Sequence, residues 1–131
     1  MASIVREARI EATPEYVWEA LRDVGALHTR LVPGFVTDTR MDGSARIVTF
    51  GNGISAREEI VDVNEALRRV AWAIIGAQFR HYSASAQVFA EGEARTRFVW
   101  TVDLLPNHLA VGVATMVDAG LAVIKRTMET R

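Results

Sequence analysis

The sequence contains no cysteine, which excludes a disulfide framework, a thiol nucleophile and thiolate metal ligation, and fits a reducing compartment. Its three histidines, His28, His81 and His108, are scattered and lack the local spacing of a metal site, so no metal is expected. Charge of one sign is also scarce. Fifteen basic residues face sixteen acidic ones with no run of either, so the broad basic surface that nucleic acid selects is missing and no nucleic-acid partner is expected. No apolar block precedes the first charge at Arg6, as a secretory signal would require. The longest charge-poor segment, 109–124, is interrupted by Asp118 and falls short of the roughly 18 to 20 apolar residues of a membrane span. These absences together point to a cytoplasmic protein without a span. A phosphate loop and a dinucleotide fingerprint are lacking too: "GNG" at 51–53 is too short and sits between strands, and no cofactor is expected.

Half of the 131 residues are apolar, enough to bury a substantial core, and residues 1–131 are read as a single domain. Residues 4–12 alternate, with Ile4, Ala8, Ile10 and Ala12 in phase and Arg6 as the one exception, which predicts a strand. "ATPEYVWEALRD" predicts a helix: Thr13 caps it, Pro14 suits its first position, and Val17, Leu21 and Val24 supply its buried stripe. Residues 26–32 read as a second short helix ended by "PG" at 33–34. From 35 to 105 strands alternate with turn signals: "DG" at 42–43, "GNG", "NEAL" at 64–67 and "EGE" at 91–93. After Pro106 the period becomes helical, with Asn107 as cap and Leu109, Val113, Met116, Val117, Gly120, Leu121, Ile124 and Met128 on one face. A meander that buries one side needs a cover, and this last helix is the only element long enough to supply it.

The motifs "IEATPEYVWEALRD", "LVPGFV", "TFGNG", "REEIVDV", "RHYSASAQVF", "FVWTVDLLP" and "GLAVIKRT" run through the whole chain. They resemble the helix-grip superfamily of birch-pollen-allergen-like, START and polyketide cyclase/dehydrase-like (SRPBCC) proteins, and its polyketide-cyclase-like bacterial branch most of all. The resemblance implies an α+β fold: a curved seven-stranded antiparallel sheet wrapped around a long C-terminal helix, with two short helices after the first strand and a ligand cavity between sheet and helix. It implies no catalytic residues, because the superfamily has no catalytic motif common to its members.

Within "HYSASAQVF" one side carries Tyr82, Ala84, Ala86 and Val88, and the other His81, Ser83, Ser85 and Gln87. A turn centred on Gly92 sets Tyr82 opposite Val102, Ala84 opposite Trp100 and Ala86 opposite Phe98, small residues against large rings. Either the alanines make room for the rings in a filled core, or the rings wall an unfilled cavity. Gly112 and Gly120, each costing about 1 kcal/mol against alanine inside a helix, pose the same choice between close packing and cavity lining. The same register places His81 opposite Asp103. That is a general-base geometry, but on the more polar side of the strand, where it is a solvent-facing pair unless a bulge reverses the phase.

A turn at 64–67 pairs Ile60 with Trp72 and Glu58 with Ile74, which puts Glu58 inside, either ion-paired with Arg6 or active in proton transfer. The opposite phase would present Arg57 and Glu59 instead. His28 and Arg30 fall near the expected cavity entrance, where Arg30 either meets a ligand oxyanion or is an exposed loop charge; His108 only caps or solvates the start of the last helix.

The leading expectation is a binding protein for a small hydrophobic ligand, aromatic, polyketide-like or lipid-like, in a pocket shaped by Trp72, Tyr82, Phe98, Trp100, Met116, Gly120 and His28. The first rival is a cyclase or dehydratase using His81, Asp103, Glu58 and Arg30 as acid/base groups. The second is an interaction subunit, and the polar, uncharged run Ser83, Ser85 and Gln87 allows a homodimer.

Overall fold

The computed structural model describes residues 2–130. Strand β1 (Ala2–Ile10) leads into helix α1 (Pro14–Arg22), a 3-10 turn at Val24–Ala26 and a π-type turn at Leu27–Leu31. Six strands follow: β2 (Val36–Asp42), β3 (Ala45–Phe50), β4 (Ser55–Asn64), β5 (Arg69–Ile74), β6 (His81–Ala90) and β7 (Thr96–Leu105). A 3-10 turn at Asn107–Leu109 then opens the long helix α2 (Ala110–Glu129). The strands form one antiparallel sheet in the order β1-β7-β6-β5-β4-β3-β2, and α2 lies against its inner face. This is the expected curved seven-stranded helix-grip architecture.

The local signals act as anticipated at the first helix. The Tyr16 amide donates to Thr13 Oγ1 at 3.2 Å, and Pro14 occupies the first turn. Asn107 provides no side-chain cap, contrary to expectation, because α2 is entered through a 3-10 turn instead of directly from Pro106. On α2, Val113, Val117, Gly120, Leu121, Ile124 and Met128 are buried, the face that the period identified. The stretch Asn107–Glu129, at 23 residues and with an 18-residue window of mean hydropathy 1.5, is by length and composition apolar enough to cross a membrane. The expectation that it falls short is corrected, because an 18-residue window tolerates the single charge of Asp118. Here its apolar face is buried under the sheet's inner residues.

Register departs from expectation in one hairpin. β6 and β7 pair Tyr82 with Leu104, Ala84 with Val102, Ala86 with Trp100 and Val88 with Phe98. The turn is closed by the Glu91 amide donating to the Arg95 carbonyl at 2.9 Å, so it is centred beyond Gly92 and the pairing slides by two residues. A slide of two preserves which side chains face inward. β4 and β5 pair Ile60 with Trp72 and Glu58 with Ile74 as anticipated, before a bulge between Ile60 and Asp62. Arg6 does stand in the inward phase of β1, but β1 is an edge strand. Its guanidinium escapes sideways to Asp118 of α2 at 3.0 Å, and the pair with Glu58 does not form.

The interior is filled at one end. Ile10, Val17, Trp18, Val88 and Met128 are all buried where the last turn of α2 is tied to β1: Glu129 accepts from the Glu11 amide at 2.8 Å, and Lys125 Nζ donates to the Arg9 carbonyl at 2.6 Å.

Candidate functional site

Toward the other end of α2 the sheet and helix enclose a cavity of about 800 Å³, within the size range of small-molecule sites. Trp72 from β5, Tyr82 from β6, Phe98 and Trp100 from β7 and Met116 from α2 stand on its wall. Its mouth lies where the β3–β4 and β5–β6 turns approach the start of α2, because Asn52, Ile54, Ile75, Gln78 and Gly112 are at once cavity-lining and exposed. Ile54 and Ile75 are 63% and 78% exposed, giving the mouth an apolar rim.

Alternation explains the aromatic wall. Trp72, Ala84, Val102 and Trp100, Ala86 form adjacent cross-strand rows on the inner face, and the two indoles approach at 6.3 Å between ring centroids. Ala86 makes room beside Trp100 and still lines the cavity, so the two readings of the small residues both hold in part. The glycines divide in the same way. A Cβ on Gly120 would stand 2.7 Å from Trp100 Cζ3, so this glycine serves close packing and does not line the cavity. Gly112 has nothing within 4 Å of its would-be Cβ and does line it.

One ion pair interrupts the apolar wall. Arg46 on β3 is the direct cross-strand partner of Glu58 on β4, and its Nε donates to Glu58 Oε1 at 2.8 Å. Their side chains are only 4% and 8% exposed. Arg46 also donates from Nη1 to the Val24 carbonyl at 3.3 Å and lies over the Trp72 ring at 5.3 Å. Both residues are on the cavity wall. The phenol of Tyr82, a hydroxyl at neutral pH in any environment, is pushed further above its usual range, first by burial and then by the Glu58 charge. The indole N–H groups of Trp72 and Trp100 are buried with no hydrogen-bond partner among the described residues.

The structure therefore brings Glu58, Trp72, Tyr82, Phe98, Trp100 and Met116 to one cavity and leaves the other expected site residues elsewhere. His81 faces Leu105, and its Nε2 is 3.1 Å from Ser83 Oγ; Asp103 faces Ser83 across β6 and accepts from Ser3 Oγ at 2.5 Å, so the anticipated His81–Asp103 pair is removed by the register slide. Asp103 lines a separate groove of about 410 Å³ together with Asp62, Ser83, Ser85 and Thr101. Arg30 is paired with Asp23 at 2.9 Å and is not on the cavity wall. His28 is half-buried, with an unpartnered Nδ1, and is not on that wall either. Of the alternative phase, Arg57 does reach the cavity wall, half-exposed and matched by Asp42 at 2.7 Å and Glu59 at 3.2 Å, while Glu59 itself does not line it.

Arg46 was not singled out from the sequence. The available signal was a lone basic residue two positions before Val48 and four before Phe50, in the inward phase of a strand whose hairpin partner carries Glu58. Among the described residues, no three histidine, aspartate or glutamate side chains stand close enough together to hold a metal ion.

Residues 1–129 match the family model described as "Polyketide cyclase / dehydrase and lipid transport". No curated protein matches the chain. Solved structures do. An uncharacterised protein from Bacillus thuringiensis superposes with a TM-score of 0.86 at 16% identity, covering 97% of this chain and 98% of the other. A START superfamily protein from Mycobacterium smegmatis gives 0.73 at 10% identity over 97% and 94%. The di-domain ARO/CYC protein BexL of the BE-7585A biosynthetic pathway gives 0.84 at 15% identity, covering 98% of this chain and 47% of that one. At such identities the likeness is one of fold.

Proposed function

The chain belongs to the polyketide cyclase/dehydrase and lipid transport family, and from that premise we propose that it binds a small hydrophobic ligand, aromatic, polyketide-like or lipid-like, in the cavity between the sheet and α2. The observation that carries this reading is the cavity of about 800 Å³ with Trp72, Phe98, Trp100 and Met116 on its wall. Burying some 300 Å² of apolar ligand surface there would contribute about 7 kcal/mol before the costs of association. Gly120 acts one step back, seating the Trp100 ring against the helix. The test is a thermal-shift panel of polycyclic aromatics, polyketide-like phenols and acyl lipids. A ligand that binds the folded state alone raises the melting temperature, by the equivalent of about 2.7 kcal/mol at a hundredfold excess over its Kd. Stabilisation confined to one chemical class is expected. No response to any class would overturn the reading.

One observation favours the second reading, a cyclase or dehydratase: a carboxylate, a guanidinium and a phenol share the wall of this cavity. Glu58 is the candidate base, and Tyr82 the candidate donor to a carbonyl oxygen. His81, Asp103 and Arg30 have no part in it, since none reaches the cavity. Loss of turnover with retained binding in Glu58→Gln, on a poly-ketone substrate, is the expected outcome; unchanged turnover would remove this reading.

A further inference from the structure

We propose that the Arg46–Glu58 pair sets the charge of the ligand: the cavity accepts a neutral molecule whose polar end is a ketone, aldehyde or hydroxyl, and rejects the carboxylate of the same body. This rests on the ligand-binding reading above. Among the described residues Arg46 is the one basic side chain buried on the cavity wall, and its attraction is already committed to Glu58 at 2.8 Å. The other basic wall residue among those described, Arg57, is half-exposed and matched by Asp42 and Glu59. An entering carboxylate would leave water, meet the Glu58 anion beside the Arg46 cation, and find no unmatched positive charge to repay its desolvation. A neutral oxygen avoids both costs. It meets a donor instead, the Tyr82 hydroxyl on the cavity wall.

The same geometry makes Glu58 the residue that withholds Arg46 from anions. Removing its charge while keeping its shape leaves a buried, unmatched guanidinium on an apolar wall, which is a carboxylate site.

The test uses the full chain with neutral 1-aminoanthracene as a fluorescent probe, displaced by 2-acetylnaphthalene or by 2-naphthoate, which share one ring system. At about pH 7.5 the ketone should displace the probe from the wild type at a concentration at least about a hundredfold lower than the carboxylate does, and Glu58→Gln should reverse that order. A wild type that takes naphthoate as well as the ketone, or an order unchanged in Glu58→Gln, overturns the proposal and leaves the cavity reading standing. So does a bound probe that neither compound displaces. If neither the probe nor either compound binds the wild type, the cavity reading itself falls and takes the proposal with it. Should Glu58→Gln not fold, the wild type decides alone. Naphthoate affinity should climb by up to about tenfold per pH unit as pH falls from about 7.5 to 5.5, because a proton must accompany the anion, while ketone affinity stays level. Flat naphthoate affinity over that range overturns the proposal.

Discussion

Gly112 and Gly120 lie about two turns apart on one helix, and the space above them differs completely. Over Gly120 the Trp100 ring sits where a Cβ would be, with Phe35 close behind; over Gly112 there is nothing within 4 Å. The tryptophans repeat the contrast. Trp18, at the filled end, donates its indole N–H to Glu65 at 2.7 Å, whereas Trp72 and Trp100, on the cavity, leave theirs unpartnered. Side chains of the same type thus pack closely at one end and leave space or unmet hydrogen bonds at the other, the contrast that the proposed binding reading needs.

The largest expected effect tests the polar element of the open end. Arg46→Met or Glu58→Leu alone strands a buried charge and should cost about 3 to 5 kcal/mol, read from urea midpoints, while the double substitution should recover much of that loss. Equal loss in the double variant would show that packing, not charge, holds this wall. Next comes the closed side of the helix. Gly120→Leu forces the Trp100 ring away and should cost about 1 to 3 kcal/mol by overpacking. Met116→Trp adds bulk on the open side of the same helix and should leave the urea midpoint nearly unchanged while weakening ligand binding about tenfold, roughly 1.4 kcal/mol, by calorimetry. If it destabilised the fold as much as Gly120→Leu, the two ends would not differ. Gly112→Ala has free space above it and should stabilise by up to about 1 kcal/mol through helix propensity.

The smallest effect is in pH dependence at the filled end. Glu65 is held below the usual carboxylate range by the Trp18 indole and then by Arg22. Its depressed pKa means that its contribution is fully present above the ordinary carboxylate value and disappears as pH falls through the lower folded value. Melting temperature in Glu65→Gln should therefore fall less steeply on acidification below about pH 5 than in the wild type. Parallel curves would mean that the interaction does not contribute.

The periodic part of this architecture was readable from residues. The alternation of β6 and the stripe of α2 named the inward side chains, and the Ile60–Trp72 row and the inward Glu58 followed from turn position. The register of β6 on β7 was misjudged because one glycine marks a turn without fixing its length, yet the slide of two spared the inner face and broke only the His81–Asp103 pair. Arg46 stayed hidden because a charged residue in a strand defaults to solvent, and only its partner makes burial tolerable. His28 and Arg30 lie on a π-type turn, whose side-chain directions follow neither strand nor helix periodicity, so their placement off the cavity was not derivable. Gly112 and Gly120 could not be told apart either, since the difference lies in what faces them.

A crystal of the protein soaked with an apolar aromatic compound tests the central claim most directly. The account predicts ordered density for one molecule enclosed by Trp72, Trp100 and Met116 beneath the first half of α2. An interior closed by its own side chains, with the compound found only on the outer surface, would contradict it.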